Sequence, residues 1–108
     1  MNGARHDIYI VPGFPGDDAR CYVRPGAFAI SPCTCGIRFR NLAGTPVTIT
    51  FLDPHPFALP SFSLTHLESR TVFVNWAVAS PGVYRYRAAL GHDIFAKGNS
   101  DPTIIIDL

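Results

Sequence analysis

Ten prolines and nine glycines are spread through this 108-residue chain rather than gathered in a linker. Proline fixes φ and lacks an N–H to donate, and glycine costs a helix interior entropy, so breakers at this density exclude long helices. Between them lie short runs rich in β-branched and aromatic residues: 7–11, 21–23, 27–30, 36–42, 47–52, 70–76, 83–88 and 103–107. About eight such runs predict an all-β sandwich or barrel of seven to eight strands.

Length leaves room for one domain, residues 1–108, with no second core. Hydrophobic residues make up 47% of the chain and charged residues 16%, a balance that supports a packed interior rather than disorder. Three segments show the alternation of a strand with one wet face: Ile37-Arg38-Phe39-Arg40, Val47-Thr48-Ile49-Thr50-Phe51 and Tyr84-Arg85-Tyr86-Arg87. Ile104, Ile105 and Ile106 are apolar on both faces, the pattern of a covered or centrally placed strand. Thr65-His66-Leu67-Glu68 matches a capping box and competes as a helix start, but the β-branched Thr71-Val72-Phe73-Val74 favours a strand there.

Nine basic and eight acidic residues give a formal charge of +1, too little field to steer nucleic acid. Lys97 is the only lysine, and an arginine-dominated basic set suits fixed ion pairs and contacts with protein partners. No segment approaches the roughly 20 apolar residues of a membrane span. The first residues hold no apolar core of signal-peptide length, so a cytoplasmic location is expected if the chain is complete and a periplasmic one if a leader has been removed. Cys21, Cys33 and Cys35 cannot all pair within one chain, which fits reducing surroundings.

The order of motifs carries a resemblance. Ile37-Arg38-Phe39-Arg40-Asn41, a short turn, Pro46-Val47-Thr48-Ile49-Thr50-Phe51, then Leu67 to Val74, then Pro81-Gly82-Val83-Tyr84-Arg85-Tyr86-Arg87 together resemble the cupredoxins, the plastocyanin and azurin type of Greek-key β-sandwich. The resemblance covers about Gly36 to Leu108 and implies a cupredoxin-like fold. It also implies where a blue-copper site would lie: a histidine near Val47, a cysteine at Ala88 and a second histidine near His92. The only methionine is Met1, so a thiolate, one imidazole and the weak axial ligand are all missing, and blue copper needs that set. The copper site is degenerate, and blue-copper electron transfer is not expected. Tyr84 and Tyr86 are expected to fill the core, with their hydroxyls reaching partners at the rim.

Cys33 and Cys35, two apart in an extended segment, point to one side and form half of a tetrahedral metal site. The implied topology brings the start of the Ile37 strand and the end of the Phe51 strand to the same end of the sandwich, placing His55 near them. Cys33, Cys35 and His55 are therefore candidate ligands for a zinc or copper ion, with His92 a further candidate in its own loop. Asp53-Pro54-His55-Pro56-Phe57 reads as a stiff crossover between sheets. The same topology puts Arg38 with Arg40 and Arg85 with Arg87 on opposite outsides.

Catalytic constellations are absent from the sequence. There is no Gly-x-Ser-x-Gly, no phosphate-cradling glycine loop and no His-Glu-x-x-His, and Glu68 is the only glutamate. The expectation is a non-enzymatic, cofactor-free module that works through a protein partner or self-association. The alternative is a metal-handling protein built on Cys33, Cys35 and His55.

Overall fold

The computed structural model describes residues 5–12, 21–32, 36–57, 59–90, 94–95 and 102–107. They form ten strands: β1 (Arg5–Pro12), β2 (Cys21–Arg24), β3 (Ala27–Ile30), β4 (Gly36–Asn41), β5 (Val47–Phe51), β6 (Ser61–Leu64), β7 (Ser69–Val72), β8 (Gly82–Leu90), β9 (Ile94–Phe95) and β10 (Thr103–Ile106). One sheet has the order β2-β1-β4-β7. The other runs β3-β10-β8-β5-β6, with β9 also pairing to β8. The expected all-β sandwich is what the chain forms. β1 lies parallel to β4, and β3 parallel to β10, so the chain crosses repeatedly between sheets instead of meandering.

Alternation decides which side of each strand is dry. Ile8 and Ile10 of β1, Ile37 and Phe39 of β4 and Val72 of β7 point inward from the first sheet. They meet Ile49 and Phe51 of β5, Phe62 of β6, Tyr86 of β8 and Ile104 of β10. Phe39 is edge-on to Phe62 at 5.3 Å, to Tyr86 at 5.6 Å and to Phe51 at 6.1 Å. Such contacts add roughly 0.5–1.5 kcal/mol each to the area they bury.

The sandwich is open along the side where edge strands β6 and β7 lie. Arg70 is in register with the inward Phe39, so it too projects toward the interior, and its guanidinium sits 5.4 Å from the ring centroid of Phe62. At the turn before it, Thr65–Glu68, Glu68 Oε1 accepts from the Thr65 N–H at 2.8 Å. This is the reach-back bond of a capping box, but Leu67 has φ of +67°, a left-handed conformation that stops a helix from starting. A tight turn and then a strand, β7, follow, but β7 ends at Val72, so the expected strand 70–76 is found only in its first part and residues 73–76 lie beyond it.

Three expectations need correction. β6 and β9 were not among the expected strands; Ser61-Phe62-Ser63-Leu64 alternates cleanly, but its serines and the preceding Pro60 read as loop. The segment after Phe51 is not a crossover: β5 and β6 are antiparallel neighbours in one sheet, and Phe51 N donates to Pro60 O at 2.9 Å to close the connection. Within this connection His55–Phe57 form one 3-10 turn, with Pro56 and Phe57 buried. Tyr84 meets its expectation, donating to Ser80 O at 2.7 Å, whereas Tyr86 is fully buried and its hydroxyl has no partner among the described residues.

The two outward faces differ. On the first sheet, Arg38 is bound to Asp7 at 2.9 Å, and Tyr9 lies in register between Arg24 and Arg40. On the second, Ala29, Ile105 and Val83 form one row across β3, β10 and β8. β10 is internal in its sheet, as its apolar run predicts, yet Ile105 remains 37% exposed.

Candidate functional site

Val47 opens β5 and lies opposite Leu90 of β8, while Ala88 lies opposite Ile49. Val47, Ile49 and Ala88 share the inward face, and Leu64 of β6 pairs with Val47 from the other side. Val47, Leu64 and Ala88 are each 1% exposed. The place where the resemblance would put a copper thiolate and imidazole is therefore close-packed hydrocarbon. A side chain there has no lone pair to donate, so the residues present do not fit a copper ion.

Beside this position Asn41 ends β4, and it is fully buried. Its Nδ2 donates to Thr45 O at 2.8 Å and to Leu64 O at 3.0 Å, and its Oδ1 accepts from Ala43 N at 2.8 Å. Its backbone is also paired, donating to Glu68 O at 3.0 Å and accepting from Leu67 N at 2.7 Å. A fully satisfied amide of this kind fixes a turn and offers no free atom to a ligand.

The opposite end holds the 3-10 turn. Phe57 stacks on Phe51 at 4.5 Å and meets Tyr84 edge-on at 5.9 Å, and Pro56 O accepts from Asn75 N at 2.8 Å. His55 is consequently held on a well-anchored turn with its side chain in solvent, and its N–H donates to Asp53 Oδ1 at 3.3 Å. It follows β5 at the end where β4 begins, as the topology argument requires. Cys33, Cys35 and His92 lie outside the described residues, so the proposed sulfur site and the His92 loop do too. Among the described residues no three histidine, cysteine, aspartate or glutamate side chains gather around a common point. His6 is half-buried and packs on Phe28 with ring centroids 4.9 Å apart.

One surface feature escaped the reading of the sequence. Leu52, Asp53, Val83 and Arg85 line a shallow cleft of about 320 Å³ on the outward side of the second sheet. Leu52 N donates to Arg85 O at 3.1 Å, carrying the β5–β8 pairing one residue past the strand and setting these side chains next to each other. Leu52 is 46% and Val83 61% exposed. The signal was Val83 itself, which shares the outward face with Arg85 and Arg87 and so breaks the expected polarity of that face.

These features define an all-β sandwich with an apolar interior at both Val47 and Ala88, an anchored histidine-bearing turn and an apolar outward cleft. No protein-family model matches the chain, and no curated protein matches it.

Proposed function

We propose that this chain is a copper-free cupredoxin-like module, without catalytic activity, that acts through contacts with protein. The observation that carries the reading is the pair Val47 and Ala88, each 1% exposed and packed in the core where the family's chemistry needs imidazole and thiolate. The cupredoxin resemblance is supported by the placement of β4 and β8 in different sheets and by the arrival of β4's start and β5's end at one end of the molecule. Arg38 and Arg85 accordingly face opposite outsides. An absence of recognisable catalytic groups in the sequence and an exposed apolar cleft on a sheet face both favour contact over turnover.

The test is metal content by mass spectrometry on reduced protein, with titration by Cu(II), Cu(I) and Zn(II) of the wild type and of Cys33→Ser. The module is expected to bind no ion stoichiometrically and to develop no intense blue colour with Cu(II). Tight uptake of one ion, abolished in Cys33→Ser, would overturn the reading in favour of metal handling by Cys33, Cys35 and His55.

A further inference from the structure

We propose that the outward face of the β3-β10-β8-β5-β6 sheet is a self-association surface, and that its occupant is a second copy of this chain related by a two-fold axis. This rests on the reading above and gives the contact a partner.

The face shows apolar side chains to water. Ile105 and Val83 lie in register at its middle and are 37% and 61% exposed. Leu52 extends the same apolar surface beside Arg85. The outward face of the other sheet, by contrast, carries Asp7, Arg24, Arg38 and Arg40. Outward apolar side chains grouped on one sheet mark a contact surface more than scattered ones do.

Charge selects the occupant. The cleft carries one acid, Asp53, and one base, Arg85, beside Leu52 and Val83. Arg85 makes no ion pair among the described residues, and the only hydrogen bond that the Asp53 side chain makes there is the one from the His55 N–H. A two-fold contact places the same patch on both copies, so each complementary pair must already be present within one patch. Asp53 and Arg85 supply that pair: Arg85 of each copy meets Asp53 of the other, while the apolar side chains close between them. The whole chain's formal charge of +1 opposes the approach of a second copy only weakly.

Size sets the strength. Five strands about 4.8 Å apart, β8 of nine residues and the others of four to five, give a face of roughly 400 Å². A stable interface buries about 800 Å² on each partner. The face is smaller than that, so association is weak and driven by concentration.

Sedimentation equilibrium of the full chain from about 10 µM to 1 mM tests this. The wild type is expected to pass from monomer to dimer. Val83→Glu, Arg85→Asp and Asp53→Arg are each expected to weaken association at least about tenfold by setting like charges together or burying one unpaired. Thermal melting checks that each variant stays folded. The decisive arm mixes Arg85→Asp with Asp53→Arg: both cross-contacts become complementary, so the mixture should dimerise where neither variant does alone. A wild type that stays monomeric to about 1 mM, or association that Val83→Glu leaves unchanged, overturns the proposal. Metal titration has no part in this measurement, so a monomer that binds no metal removes the self-association and leaves the copper-free reading standing. A dimer that binds metal does the reverse.

Discussion

Tyr86 carries a hydroxyl into a core that offers it nothing. The ring belongs there, edge-on to Phe39 and beside Phe51, but the oxygen is buried without a partner among the described residues. An unmet buried donor costs about 1–3 kcal/mol. Tyr86→Phe removes the oxygen and keeps the ring, so it should raise stability by about 1 kcal/mol in urea unfolding at pH 7. Burial also pushes the Tyr86 phenol well above its ordinary value of 10. The unfolded chain can therefore ionise this group above about pH 10 while the folded chain holds it neutral, and its contribution to stability is lost as pH rises from there. Unfolding curves at pH 8 and pH 10.5 should show a smaller loss in Tyr86→Phe than in the wild type. The sequence correctly sends both tyrosines inward, because Tyr84 and Tyr86 are two apart on one strand. It cannot tell which hydroxyl finds an acceptor, since Ser80 O reaches Tyr84 only through the turn that precedes β8.

The element that best shows local rules in conflict is the Thr65–Glu68 turn. Its side chains make the capping-box bond of a helix start, while the residue between them takes a left-handed backbone. An L-residue there costs roughly 1–2 kcal/mol, and Leu67 is also 54% exposed, so little packing offsets the strain. Leu67→Gly should therefore stabilise the protein by about 0.5–1 kcal/mol after the entropy lost by glycine is subtracted, readable as a higher denaturant midpoint with an unchanged slope. Elements with strong alternation and β-branched residues were legible: 27–30 is found as expected, and β4, β5 and β10 differ from expectation only at their ends. β6 was not, because its outward serines carry no strand signal and only the register with Val47 and Ile49 makes Phe62 and Leu64 core residues. The connection before it misled for a related reason: a stiff proline-rich segment looks the same whether it turns back within a sheet or leaves it.

At the scale of the molecule, the two sheets are joined by packing and, among the described residues, by the buried amide of Asn41. Asn41 belongs to the first sheet and donates to Leu64 O in the second. Asn41→Ala leaves that carbonyl, the Thr45 carbonyl and the Ala43 N–H without their partner, and should cost at least about 2 kcal/mol, seen as one cooperative transition shifted to lower denaturant. The candidate metal site was legible only as a possibility of sequence: of Cys33, Cys35, His55 and His92, only His55 falls among the described residues, on an exposed turn. The apolar cleft was hidden because Leu52 follows β5 while Val83 lies on β8, and only the pairing of those two strands makes them neighbours. Arg70 has a consequence of another kind. A chain adding itself to β7 would have to lay an apolar residue into the seam that the Arg70 guanidinium and the Phe62 ring already cover. Inward charge at a sheet border discourages strand addition, the first step toward fibrils. Along that border, growth into a fibre is disfavoured at its first strand.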